Sequence, residues 1–211
     1  MRLLFFGDSI TDMGRRFDVP DYSIHSYGDG YVFVLASHFA RISPADYQIL
    51  NRGISGNRIV DLYARIKKDA WNLKPDVLTI LIGTNDVWHE LSQNGVEIDR
   101  WERIYRTIIK ETRERLPDTK IIMCEPYVLY GEATKEHFEH FEKIKEYAAL
   151  AAKIAKDNDI PFVKLQEPLD RAAEKYSVED YMFDGVHPAI AGATLIADEW
   201  LKVFEKEIEK K

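Results

Sequence analysis

Cysteine, long apolar runs and the signatures of nucleotide and metal sites are all scarce or missing in this chain of 211 residues. Cys124 is the one cysteine; it can form neither an internal disulfide nor a thiolate cluster, and it reads as a small core residue within a strand pattern. No stretch approaches the roughly 20 apolar residues that span a bilayer. The opening run Leu3–Phe6 is too short for the central region of a signal peptide, so the expectation is a soluble, cytoplasmic protein without a membrane partner. No Gly-x-Gly-x-x-Gly or Walker sequence is present, which implies no nucleotide cofactor. No His-x-x-x-His pair is present either, so a metal site is not expected. Basic residues are outnumbered, 29 Lys plus Arg against 36 Asp plus Glu, for a net charge of −7. That balance argues against a nucleic-acid partner.

What is present is a globular mixture, 45% hydrophobic and 31% charged, long enough to bury a large core without staples. With no repeat, low-complexity tract or linker, a single domain over residues 1–211 is expected. Apolar runs suited to buried strands occur at Arg2–Phe6, Tyr47–Asn51, Asp76–Ile82, Lys120–Cys124 and Pro161–Leu165. Runs apolar on both faces belong to a parallel sheet covered by helices. Between them lie helical periodicities. Tyr31–Ile42 is one; Trp101, Ile104, Ile108 and Thr112 form another, stopped at Pro117. Phe138, Phe141, Ile144, Ala148, Ala151 and Ala155 read as one long helix. Ile190, Ala193, Ala197, Leu201, Phe204 and Ile208 form the last stripe, and the charged end Lys202–Lys211 reads as a solvated helix end. The alternation predicts an α/β fold: a three-layer α/β/α, flavodoxin-like domain on a five-stranded parallel sheet. Asp12–Asp29 is polar, turn-rich and aperiodic. It follows the first strand, where open α/β sheets place their ligand crevice, and reads as a lid, a binding wall or a plain surface excursion.

Four short segments flank the predicted strands and helices: Gly7-Asp8-Ser9, Gly53-Ile54-Ser55-Gly56-Asn57, Gly83-Thr84-Asn85-Asp86 and Asp184-Gly185-Val186-His187-Pro188. Each alone is ordinary turn or cap chemistry. Together they are more specific, because the first three follow strands one to three and open at the same edge of a parallel sheet. Their order and spacing resemble the SGNH hydrolases, also called the GDSL esterase/lipase family, from Ser9 to the helix after His187, with all four blocks intact. The resemblance implies ester cleavage by a catalytic set of Ser9, His187 and Asp184. A serine hydroxyl needs an adjacent base, for which His187 is the candidate. Asp184 holds the imidazole tautomer and stabilises its charged form. The family's oxyanion donors fall on the Ser9 amide, the Gly56 amide and the Asn85 side chain; Gly56 is preferred to Gly53 because it ends the Ile-Ser-Gly block.

Ser55, flanked by Gly53 and Gly56, is a rival nucleophile on superficial reading, but Ser9 alone sits in the Gly-Asp-Ser block. Asp8 and Asp86 read as structural, bonding nearby loop amides. His25 and His89 read as surface or pocket-rim residues, and His38, His137 and His140 as ordinary surface residues. Tyr22, Tyr27, Tyr31, Trp88, His89, Tyr127 and Tyr130 make the flanking loops aromatic and polar, which suits a sugar ring; Trp88 is the substrate-binding candidate. Asn51–Asn57, Gly83–Trp88 and Gly30-Tyr31-Val32 resemble the blocks of bacterial intracellular acetylxylan esterases within the family. Those enzymes deacetylate xylo-oligosaccharides and tend to be homo-oligomers, so a small-molecule or oligosaccharide ester substrate, homo-oligomeric assembly and no cofactor are implied. The chain departs from some of them in Phe183, which stands before Asp184 where a Trp can occur. That departure bears on substrate and leaves the reaction class untouched. A lysophospholipase, thioesterase or arylesterase of the same family, or a non-catalytic carbohydrate-binding module on the same fold, are the competing readings.

Overall fold

The structure is a computed structural model that describes residues 1–209. Its centre is strand β1 (Arg2–Gly7), in which Leu3, Leu4, Phe5 and Phe6 are completely buried. Such burial requires cover on both faces. β1 lies between β2 (Gln48–Gly53) and β3 (Val77–Leu81), and the sheet continues through β4 (Lys120–Cys124) to β5 (Phe162–Val163). All pairings are parallel. The order β2-β1-β3-β4-β5 is the flavodoxin-like one, with its crevice at the carboxyl ends of the strands.

Alternate side chains of β1 identify the two helical layers. Phe5 meets the rings of Tyr31 on α2 (Tyr31–Ile42) and Trp200 on α10 (Ile190–Phe204). Phe6 points the other way and lies 4.3 Å under the guanidinium of Arg65 on α3 (Ile59–Asp69). That second layer continues through α5 (Ile98–Arg115) and α7 (Ile144–Asp157). Thr79, the one polar side chain of β3, is buried with its hydroxyl accepting from the Trp200 indole at 3.0 Å, so the interruption in the apolar run is satisfied.

Several elements differ from their sequence expectations. β2 runs two residues further, because its pairing follows β1 to the Gly7–Gly53 register. β5 is two residues rather than five. It is an edge strand that pairs only with Met123 and Cys124, and Leu165 beyond it turns its N–H to the Glu125 carboxylate at 2.6 Å. The helix expected from Phe138 to Ala155 is broken into α6 (Phe138–Phe141) and α7. The break lets Phe141 meet Trp88, with ring centroids 5.3 Å apart, before α7 turns along the sheet. Ile190, expected in the apolar stripe of α10, is 86% exposed at the helix start, whereas Ala193, Ala197 and Phe204 are buried. After Phe204 the chain closes a π turn over Glu205–Glu209; Lys210 and Lys211 of the expected charged end lie outside the described residues.

The register puts Gly7 beside both Gly53 and Leu81, so the loops after β1, β2 and β3 leave from one level. Arg65 caps these ends from α3, donating to the Gly7 carbonyl at 3.0 Å and the Arg52 carbonyl at 2.9 Å. The loop after β1 begins with α1 (Ser9–Asp12), packed so closely on β2 that a Cβ on Gly53 would lie 2.2 Å from the Asp12 amide nitrogen. Backbone on both sides of that contact cannot yield as a flexible side chain would. Gly53→Ala is therefore expected to cost about 2–3 kcal/mol of stability in denaturant titration. An unchanged midpoint would show that α1 is not held against β2.

Candidate active site

The loops converge on a continuous hydrogen-bonded chain. Ser9 Oγ lies 2.7 Å from His187 Nε2, and His187 Nδ1 lies 2.6 Å from Asp184 Oδ2. Ser9 opens α1, and Asp184 and His187 lie in the turn between α9 (Val178–Tyr181) and α10. Residues 178 positions apart are thus brought within one hydrogen bond. Burial pushes the Asp184 carboxyl up, but hydrogen bonds from the His187 ring and the His187 and Val186 amides outweigh it and hold the group below the usual range. Asp184 is therefore an ionised acceptor, which assigns the proton to Nδ1 and leaves Nε2 to accept from the Ser9 hydroxyl. The Asp184 bond raises the imidazole above its ordinary value against the opposing effect of burial.

The turn carrying these groups is tightly built. Asp184 Oδ1 accepts from Val186 N–H at 2.9 Å and His187 N–H at 2.8 Å. Gly185 adopts φ +97°, and a Cβ there would meet the Leu129 carbonyl at 2.6 Å. Tyr127, wholly buried, donates its hydroxyl to Val186 O at 3.0 Å.

The three other expected positions line the same edge. Ser9 stands at the first position of α1, where a backbone N–H has no intrahelical acceptor. Gly56 is exposed at φ +80°, with open space where a Cβ would stand, whereas Gly53 is packed against α1. Asn85, buried on the short helix α4 (Thr84–Trp88), donates from Nδ2 to Asn57 O at 3.1 Å, which orients its amide beside the Gly56 block. Trp88, half-buried, has its ring centroid 6.4 Å from that of His187. Ser55 is not brought to a histidine: its hydroxyl donates to Asp12 Oδ2 at 2.6 Å and its amide to the same oxygen at 3.0 Å.

Two of the aromatic residues beside the blocks are interior and not available to a sugar. Tyr31 is buried with its hydroxyl 3.0 Å from Thr11 Oγ1, and Tyr127 is buried under the Asp184–His187 turn. Tyr22 and Tyr130 are exposed, and Tyr27 is half-buried. His140, read as an ordinary surface residue, is half-buried with Nε2 3.0 Å from Val87 O on the helix that carries Asn85 and Trp88. Its position on an apparently amphipathic stripe gave no sign of this, because the contact depends on the break between α6 and α7. The segment Asp12–Asp29 is tied down. Asp29 N–H donates to Met13 O and Arg16 N–H to His25 O, each at 2.8 Å, and Asn51 Nδ2 donates to both Thr11 O and Tyr27 O.

Asp8 and Asp86 bond loop amides as expected: Asp8 Oδ1 accepts from Ile10 N–H at 3.0 Å and Asp86 Oδ1 from Ile59 N–H at 2.9 Å. Each keeps a buried Oδ2 without a partner. Burial pushes the Asp8 carboxyl up to about 7, against the lowering effects of the Ile10 amide and the His187 charge. Burial likewise holds Asp86 well above the usual carboxylate range. Among the described residues no group of three His, Cys, Asp or Glu is placed to hold a metal ion, and no helix is long and apolar enough to cross a membrane.

Comparison with known proteins agrees with this geometry. The sequence model of the GDSL-like Lipase/Acylhydrolase family matches residues 5–195. An acetylxylan esterase of Geobacillus stearothermophilus is 30% identical over 207 residues, 95% of this chain and 92% of that protein. The crystal structure of a catalytic mutant of that organism's acetylxylan esterase Axe2 superposes with a TM-score of 0.86 at 30% identity, covering 96% of this chain and 93% of the other. A candidate GDSL-like lipase from Parabacteroides merdae ATCC 43184 gives a TM-score of 0.88 at 35% identity, with 96% and 94% covered.

The raised Asp8 value has a consequence for stability. Its carboxyl keeps its proton in the folded chain to about pH 7, whereas the unfolded value is 3.8. Between those values the folded state binds more protons, so this contribution is present below the lower value and lost as pH rises through the upper. Asp8→Asn retains an oxygen for Ile10 N–H and cannot ionise. Melting temperatures across that window should show the parent losing stability relative to Asp8→Asn as pH rises. Parallel curves would mean that Asp8 is ionised throughout.

Proposed function

The chain belongs to the GDSL-like lipase/acylhydrolase family and is a carboxylic ester hydrolase, and from that premise we propose that it is a serine esterase removing acetyl groups from carbohydrate, acetylated xylo-oligosaccharides in particular. The observation that carries the mechanism is the unbroken Ser9–His187–Asp184 chain, with links of 2.7 and 2.6 Å.

In this reading Ser9 Oγ attacks the acetyl carbonyl carbon while His187 Nε2 takes the hydroxyl proton, and Asp184 stabilises the imidazolium. Negative charge gathers on the former carbonyl oxygen. The Ser9 and Gly56 amides and the Asn85 amide receive it, each donor contributing about 10²–10³ in rate. On collapse the sugar hydroxyl leaves with the proton from His187, and Ser9 carries the acetyl group. Water, deprotonated by the same imidazole, then attacks the acetyl-serine. Collapse of the second tetrahedral intermediate releases acetate and returns the proton to Ser9. Every group in the cycle belongs to this chain, so the reaction calls for no cofactor.

Support for a sugar leaving group comes from the relatives and from Trp88. The Geobacillus stearothermophilus relative is named an acetylxylan esterase, and two of its mutant structures are named as those of an acetyl-xylooligosaccharide esterase. Trp88 presents an aromatic ring beside His187, where the apolar face of a sugar can pack while its hydroxyls meet water and polar side chains. Homo-oligomeric assembly belongs to the same reading, as the resemblance of the sequence blocks implies.

Two experiments test these assignments. An organophosphorus reagent should label Ser9 alone, and Ser9→Ala should lose at least about 10³ in kcat with an unchanged melting temperature; labelling at Ser55, or substantial turnover by Ser9→Ala, overturns the mechanism. For the substrate, acetate release should be fastest from acetylated xylo-oligosaccharides among xylo-, manno-, galacturono- and amino-sugar acetates and octanoyl esters. Trp88→Ala should lower kcat/KM on the preferred oligosaccharide about tenfold or more while changing a small aryl acetate little. Equal losses on both would make Trp88 a packing residue, and preference for octanoyl esters would move the enzyme to the lipase side of the family.

A further inference from the structure

Phe183 is a large apolar side chain left 55% exposed, immediately before Asp184. Its ring forms an offset stack with the imidazole of His187, with centroids 5.6 Å apart and planes only 16° from parallel. Trp88, on another side of the same imidazole, is tilted by 48° at 6.4 Å and does not stack. We propose that Phe183 is a positioning residue for the esterase reaction: its parallel ring holds the plane of the His187 imidazole and stabilises the imidazolium formed in each half of the turnover. This rests on the reading of His187 as the general base.

The hydrogen bonds of His187 leave that task open. Asp184 holds Nδ1 and Ser9 meets Nε2, both at the ring edge. The covalent tether at Cγ and these two bonds all act in the plane of the ring. A near-parallel ring beside its face adds restraint against out-of-plane motion, which keeps the Nε2 lone pair aimed at the serine and, later, at water. The turn fixes the stack: Phe183 N–H donates to His187 O at 3.1 Å, and Met182 pairs with Pro188 in an antiparallel bridge just outside it. Both rings therefore project from the two ends of one closed five-residue turn.

The stack also has an electrostatic sign. An aromatic face carries negative potential and attracts a cation, so Phe183 favours the charged imidazole. Covering the ring from water acts oppositely, favouring the neutral form. The other ionisable groups near His187 are Asp184 on its own turn and Asp8 after β1, both raising its value. Neither is altered by a substitution at residue 183. Leucine at this position keeps apolar cover and removes the aromatic face, so the two effects separate.

The decisive measurement is the titration of the His187 ring by NMR in the resting protein, with the signal assigned through His187→Asn. Phe183→Leu should lower the His187 value by about half a pH unit, and Phe183→Trp should keep it at or above the parent. The acid limb of kcat/KM on a small aryl acetate should move with it, and kcat should fall several-fold in the leucine variant and not in the tryptophan variant. Because Phe183 is mostly exposed, melting temperatures should stay level; Phe183→Met provides a second non-aromatic variant. A value unchanged or raised in Phe183→Leu and Phe183→Met overturns the proposal, since Phe183 would then act only as apolar cover. Loss of the catalytic reading would appear separately, as turnover by Ser9→Ala, and the NMR titration would still report whether the stack acts on His187.

Discussion

The parallel register of β1 between its two neighbours is the constraint on which the rest of this structure depends. Gly7 is level with Gly53 on one side and Leu81 on the other. Parallel strands all point the same way, so the loops that follow them leave from one edge. Ser9, Gly56 and Asn85 belong to those three loops, and their proximity needs no further explanation. The Asp184–His187 turn arrives from the far end of the chain and is anchored over the same edge by Tyr127 and Leu129, which follow β4.

Keeping these loops in place requires polar groups in an otherwise apolar centre. Asp12 holds the hydroxyl and amide of Ser55, Asn51 ties Thr11 and Tyr27 to the end of β2, and Asp86 caps α3 through Ile59. Buried carboxyls are costly unless fully bonded. Asp8 and Asp86 each keep an unpartnered oxygen, and burial drives both toward the protonated form. Asp184 is the opposite case. Three hydrogen bonds hold it ionised despite its burial, and an ionised Asp184 places the His187 proton on Nδ1. The same residue type thus serves as a brace with a raised pKa at Asp8 and an ionised group at Asp184, and the difference lies in the fuller burial of Asp8 and the larger number of donors that Asp184 meets.

Aromatic residues near the site divide in the same manner. Tyr31 and Tyr127 fill the interior and satisfy their hydroxyls on Thr11 and Val186, and so act as supports. Trp88 and Phe183 lie against His187 with surface to spare. In the proposed reaction one borders the leaving sugar and the other the base.

Fold class follows from features local in sequence. Doubly apolar runs such as Leu3–Phe6 and Val77–Leu81 need cover on both faces, and the helical periods between them supply it. The four blocks are likewise legible, because each is a few consecutive residues of unusual type. Whatever depends on contacts between distant segments is not legible in this way. The sequence places two glycines around Ser55, and only packing distinguishes Gly53, pressed against the backbone of α1, from Gly56, open at φ +80°. A single helix can be read from Phe138 to Ala155, and the break that brings Phe141 and His140 to the α4 helix is a tertiary compromise. Seven aromatic or histidine side chains beside the blocks look alike in the sequence, yet two of them are interior. By itself the sequence determined which chemical groups are present and which strand each follows, since those are properties of short stretches of chain. Distance, burial and ring orientation around His187 were decided only when segments up to 178 residues apart packed together, because each is set by neighbours that no local pattern encodes.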